Sequence, residues 1–164
     1  RLPGQTDNDI WYLLGYCAQL QGHFEESQRY FSRATRGGSS LDAGRYYNDQ
    51  PVDYLFWQGM AQRKLGDDAE ADALFNSFLQ WVESHHDNVP DVDFFAVSLP
   101  DLVVLDTSAE AKHQQHCLFI EALGHLGLGE MSASQKAMQQ LLAINPAHDK
   151  AHLILHAQRC GIFA

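Results

Sequence analysis

At 164 residues and a formal net charge of -10, the chain is long enough for one domain with a hydrophobic core and is strongly acidic. Hydrophobic residues make up 45% of it and charged residues 20%, a globular composition rather than that of a disordered chain. Its 11 Lys and Arg are scattered among 21 Asp and Glu, so the clustered cations that neutralise nucleic-acid phosphates or dock on an anionic membrane surface are missing from the sequence. No stretch approaches the roughly 18 apolar residues that read as a membrane span. The start, Arg1-Leu2-Pro3-Gly4-Gln5, has neither an apolar signal region nor an initiator Met, and reads as a boundary within a longer protein. Cys17, Cys117 and Cys160 are odd in number and far apart, which suits reduced thiols in a cytoplasmic compartment better than a disulfide framework.

In chain order, residues 7–36 form a first pair of predicted helices, broken at Gly22, with Phe24, Ser27, Phe31 and Ala34 on one face of the second. Residues 37–50 open with Gly37-Gly38-Ser39-Ser40 and read as a loop. A second pair spans 51–86, opening at Pro51 and broken at Gly66, with the stripe Ala71, Phe75, Phe78 and Val82. Residues 87–106 include Asp93-Phe94-Phe95-Ala96-Val97-Ser98-Leu99-Pro100, too apolar for a solvated linker. They are expected to fold over the helices and fill a gap between the second and third pairs, or to shape a partner-binding surface. Thr107-Ser108-Ala109-Glu110 reads as a capping box that starts the third pair, 107–145, which is broken at Gly129 and carries Met131, Ser134, Met138 and Leu141. Residues 146–160 read as a final helix covering the last apolar face.

The three pairs align without gaps at Gly22, Gly66 and Gly129, where glycine ends one helix in the left-handed region and lets the chain reverse. Trp11-x-x-Leu14-Gly15 resembles the W-x-x-L-G signature of the tetratricopeptide repeat (TPR), with Gly59 and Ala122 in the later Gly15 slots, and Asn145-Pro146 matches the proline that closes a unit. The aligned glycines lie 44 and 63 residues apart, against about 34 in an uninterrupted array. The predicted fold is therefore all-α: a TPR-like right-handed superhelix of three helical hairpins, with an apolar insertion and a C-terminal capping helix.

A second resemblance rests on Tyr46-Tyr47-Asn48-Asp49-Gln50-Pro51, on Phe94-Phe95-Ala96-Val97-Ser98-Leu99-Pro100, and on His116-Cys117-Leu118 with Gly124-His125-Leu126-Gly127-Leu128-Gly129. These runs, within residues 45–150, are similar to large bacterial TPR-containing proteins of unknown function, of the YphG type. The resemblance implies that the chain is the C-terminal piece of a longer protein with an N-terminal part like a sugar-mutarotase β-sandwich. It also implies an alternative role, a structural or oligomerising appendage of a carbohydrate-active enzyme whose catalytic part lies upstream. It lends no catalytic residues.

Enzyme chemistry finds little support in the residues. There is no Gly-x-Ser-x-Gly elbow, Gly127-Leu128-Gly129 ends a helix rather than following a strand, and paired acids such as Asp67-Asp68 are unspecific. His148, His152 and His156 recur every four residues ahead of Cys160, yet one helix cannot close a metal shell, so they read as an exposed face and no metal or cofactor is expected. Protein or peptide binding is the reading with a mechanism, because stacked hairpins leave a groove lined by their first helices. The groove slots fall on Asp9, Tyr12, Tyr16 and Gln19, on Asp53, Phe56, Met60 and Arg63, and on His116, Phe119 and Leu123. With Arg63 as its lone cation, this aromatic and apolar set does not suit a carboxylate clamp. The expected occupant is a protein or peptide, the N-terminal part of the parent chain, or the 87–106 insertion itself.

Overall fold

The computed structural model describes residues 6–38, 40–41, 51–87 and 109–163. Among these there are seven helices: α1 (Asn8–Leu20), α2 (Phe24–Ala34), α3 (Val52–Leu65), α4 (Asp68–His85), α5 (Ala109–Gly127), α6 (Met131–Ile144) and α7 (Asp149–Arg159). The first six pair as the hairpins α1–α2, α3–α4 and α5–α6, and α2 packs on α3 and α4 on α5.

Each hairpin turns in the same way. Gly22, Gly66 and Gly129 have φ of 79°, 90° and 78°, a region costly for any residue with a Cβ. One residue later the main-chain N–H reaches back to a carbonyl of the preceding helix: His23 to Ala18 at 2.9 Å, Asp67 to Gln62 at 2.9 Å and Glu130 to His125 at 2.8 Å. This capping bond satisfies a helix-terminal carbonyl and fixes the angle at which the chain reverses.

Close approach within the hairpins comes from a second set of small residues. A Cβ added to Gly15 would stand 2.8 Å from the Phe31 ring, and one added to Gly59 would stand 2.5 Å from Phe75. The equivalent residues of the third hairpin, Ala122 and Met138, are both buried. One turn along, the Ser27 hydroxyl donates to the Gly15 carbonyl at 2.9 Å and the Ser134 hydroxyl to the Ala122 carbonyl at 2.8 Å. Ala71 takes this slot in the second hairpin.

Successive hairpins meet just as closely. Gly127 faces Phe75, where an added Cβ would lie 2.3 Å from the ring, and Gly124 faces Phe78 and Leu79. α4 and α5 touch through their own side chains, because two glycines on α5 admit the Phe-rich face of α4. The insertion itself, and the Thr107–Glu110 capping box with it, fall largely outside the described residues, as does most of the 37–50 loop.

Further side chains tie the units together. Asn8, fully buried, donates to the carbonyls of Ala34 at 2.6 Å and Arg36 at 2.7 Å, closing the first hairpin at its open end. His113 Nε2 lies 2.7 Å from the His85 carbonyl, joining the start of α5 to the end of α4.

Gly59→Ala and Gly127→Ala should each lower stability by about 1–3 kcal/mol, since the Phe75 ring has no room to retreat in a packed core. Ser134→Ala should cost about 1 kcal/mol, the net value of one buried hydrogen bond. Urea denaturation followed by circular dichroism reads both effects, and a Gly127→Ala chain as stable as wild type would contradict the packing described.

Candidate functional site

The residues expected to line the groove fall into two groups. Tyr12, Tyr16 and Phe56 lie beneath the C-terminal segment of the same chain, and Phe119 lies against the residue that caps the start of α7. The Tyr12 hydroxyl donates to the Ile162 carbonyl at 3.0 Å and the Tyr16 hydroxyl to the Gly161 carbonyl at 3.5 Å. Phe163 inserts among Tyr12, Phe56 and Trp57, its ring centroid 6.4, 5.2 and 5.3 Å from theirs. Phe119 meets the His148 ring at 5.0 Å. Aromatic contacts of this kind favour tilted and edge-on geometry, which these rings adopt.

The other candidates lie elsewhere. Met60 is 5% exposed and belongs to the core, Gln19 points to solvent, and His116 sits edge-on to Trp81 at 5.5 Å. Arg63 is committed to the fold. Its guanidinium donates to the Gly127 carbonyl through Nε at 3.0 Å and Nη2 at 2.7 Å, and pairs with Asp72 and, at 3.5 Å, with Asp68. It thereby ties the C-terminal end of α3 to that of α5 instead of waiting for a ligand.

The stretch from His148 to Phe163 reaches all three hairpins, at Tyr12 of the first, Phe56 and Trp57 of the second and Phe119 of the third, so it does more than cover the last one. The buried stripe of α7 is Ala151, Ile154 and Ala157, every third residue. The His148 ring caps its start by accepting from the Ala151 N–H at 3.1 Å, and burial pushes that imidazole below its usual pKa, keeping it in the neutral form that can accept. His152 and His156 face solvent; His152 Nε2 lies 2.7 Å from the Pro146 carbonyl, and His156 Nε2 lies 3.6 Å from Cys160 Sγ.

Lys150, at the start of α7, forms an ion pair with Asp53 on α3. Asp53 is only 8% exposed in its side chain, whereas Lys150 keeps 36%. Burial raises the Asp53 carboxyl above its usual value, and Lys150 opposes that shift. The Tyr12 phenol is pushed up as well, first by burial and then by Tyr16.

Sequence reasoning placed Asp53 in the groove but missed its partner Lys150, and it missed Trp57 and Phe163 altogether. One signal was available: Ile162-Phe163 after the final helix is an apolar pair with no reason to be exposed, and such a tail needs a cover.

Residues 9–36 match the tetratricopeptide repeat family, and so do residues 53–80. These two stretches coincide with α1–α2 and with most of α3–α4, so the chain carries a TPR-repeat region and its fold class is an all-α, TPR-like helical array. No solved structure matches the chain. None of the described helices is long and apolar enough to cross a membrane.

Two predictions follow the C-terminal contact. Phe163→Ala should destabilise the chain by about 1–3 kcal/mol and shift the tryptophan emission of Trp57 to longer wavelength as water reaches it. Lys150→Met leaves the Asp53 carboxylate buried without its cation and should cost about 1–3 kcal/mol at neutral pH, the lower part of that range being expected for a half-exposed lysine. The raised Asp53 pKa fixes the sign of the pH dependence. The folded state takes up the Asp53 proton more readily than the unfolded state, so the deficit is full above the folded pKa and shrinks as pH falls through it. Thermal melts of both proteins across the acid range would show this; a deficit that grows on acidification would contradict it.

Proposed function

We propose that this chain is a non-enzymatic protein–protein interaction or scaffold segment of a larger bacterial protein, with its groove closed by its own C-terminal segment. TPR regions are typically interaction modules rather than catalysts, which supports the first half of this reading. Its single carrying observation is the contact of Tyr12 and Tyr16 with the carbonyls of Ile162 and Gly161, with Phe163 seated beside them. Main-chain acceptors beside an aromatic anchor are what a peptide ligand would offer, and here the chain supplies both in cis, from the turn that follows α7. Partners, whether other proteins or the N-terminal part of the parent chain, then meet outer faces of the array. The resemblance to large bacterial TPR proteins supports the larger-protein context, and three cysteines outside any disulfide, two of them exposed, support a cytoplasmic setting.

Isothermal titration of the chain with the remainder of its parent protein tests this reading. Association is expected, with an affinity that changes by less than about threefold in Phe163→Ala, below the 1.4 kcal/mol that a tenfold change represents. A chain that associates neither with the rest of its parent nor with itself is not a scaffold. A Phe163→Ala chain that binds ten times more tightly would mean that the groove, once vacated, is the working surface.

A further inference from the structure

Among the described helices, α1, α2, α3, α4 and α6 start without a hydrogen bond to the side chain of the residue ahead of them. Helix α7 starts on one: the His148 imidazole accepts from the Ala151 N–H through Nδ1 at 3.1 Å. The difference matters because α7 has 11 residues, fewer than the roughly 12–15 at which an isolated helix becomes even marginally stable in water. Its buried stripe is two alanines and Ile154, so little apolar area holds it in place.

Such a helix depends on its first turn. There the His148 ring leans on Phe119 of α5, with 5.0 Å between centroids, and Lys150 reaches Asp53 of α3. At the other end, the Ile162 N–H donates to the Ala157 carbonyl at 3.1 Å, and this turn sets Gly161, Ile162 and Phe163 against Tyr16, Tyr12 and Trp57. Ala157 belongs to the last turn of α7, so the closing segment loses its placement when the helix unwinds. An imidazole caps a helix only while it is neutral. A proton on Nδ1 turns the acceptor into a donor aimed at an N–H. It also sets a cation at the positive end of the helix dipole, two residues from Lys150. A charged His152 adds to that repulsion, while Asp149 and the Phe119 face oppose it. Beyond α7, Asp53 of α3 holds Lys150 and is itself opposed by Asp9 of α1.

We propose that His148 is a proton-operated latch: a proton on its imidazole unties the first turn of α7 and frees residues 161–163 from the aromatic groove. The inference rests on the reading that these residues close the groove, and it gives that closure a control. Burial holds the docked ring below its usual pKa, so the released segment takes up the proton more readily. Docking therefore weakens as pH falls through the ordinary imidazole value of about 6.5. Asp53 acts in the opposite sense. Its carboxyl, raised by burial, is protonated more readily in the docked form, so docking recovers at lower pH. The two effects bound a mildly acid window in which the groove opens.

Hydrogen exchange in the whole chain, followed by NMR from neutral pH to about pH 5, reads the latch at two N–H groups. The Ala151 amide reports on the cap. The Trp57 indole N–H, buried and with no acceptor among the described residues, reports on the closing segment, because Phe163 lies 5.3 Å from its ring. Each rate is compared with that of the same group in an unfolded chain at the same pH, and the ring protons of His148 give its titration. As the ring titrates, protection of both groups should fall together by about fivefold or more, the factor that loss of one helix cap brings. In His148→Asn the amide oxygen accepts the same bond without titrating, and both groups should stay protected. Protection unchanged across the range overturns the latch. An equal fall in His148→Asn overturns it too, by assigning the effect to another group. A fall at Ala151 alone does the same, since the cap would then fray without freeing the segment. A Trp57 indole that already exchanges at the unfolded rate at neutral pH overturns the closed groove along with the latch, which separates the failure of that reading from the other outcomes.

Discussion

Phe75 makes contact in two directions, and the array depends on both. Its ring presses on Gly59 within its own hairpin and on Gly127 of the next, each time at a distance that a Cβ would forbid. The first contact sets the separation of α3 and α4, and the second sets that of α4 and α5. Arg63 lies 5.7 Å over the same ring while its fork holds the Gly127 carbonyl, so charge, aromatic face and glycine form one junction between units two and three. With the helices locked there, the 23 residues that run from α4 to α5 do not separate them. Backbone proximity, rather than loop length, keeps the interrupted repeat continuous.

The parts of this fold that could be read from the sequence are those that repeat. Gly22, Gly66 and Gly129 mark positions where only the left-handed region reverses the chain, and the i, i+3, i+7 stripes mark faces that must be buried, so hairpins and their order were legible. Of the expected groove residues, Tyr12, Tyr16 and Phe56 do meet one segment, while Gln19, Met60, Arg63 and His116 lie elsewhere, so register alone made only part of the set legible as neighbours. The occupant of that part was not. Nothing in the periodicity of α7 says that its first turn reaches the second hairpin, since Ala151, Ile154 and Ala157 would serve equally well against the last hairpin alone. The Lys150–Asp53 pair spans 97 residues and the Tyr12–Ile162 bond 150, and contacts at such separation leave no local signature. Arg63 misled for a related reason: an arginine in a groove slot reads as a ligand-binding cation until the carbonyl it satisfies is seen.

The C-terminal segment changes what the aromatic slots mean. In an open array, Tyr12, Tyr16, Phe56 and Phe119 would be a recognition surface, and the hydroxyls of the tyrosines would be donors awaiting an acceptor. Here the acceptors are main-chain carbonyls of residues 161 and 162, groups that carry no sequence information, while Phe163 and Lys150 supply the specific contacts. The buried carboxylate of Asp53 makes the arrangement selective, because an occupant without a cation in that place would leave a charge stranded in the interior.

This closure also alters how the chain comes to its folded state. A linear stack gains stability unit by unit from nearest neighbours, and such arrays can nucleate anywhere and fray from their ends. Joining Ile162 to Tyr12 adds a contact of very long sequence separation, and Phe163 packs on hairpins one and two together. The loop-closure entropy of that contact must be met before it contributes, which slows folding, whereas loss of the segment removes support from both hairpins at once. The molecule is thereby converted from a one-dimensional array, whose ends melt first, into a ring of interactions that opens as a unit.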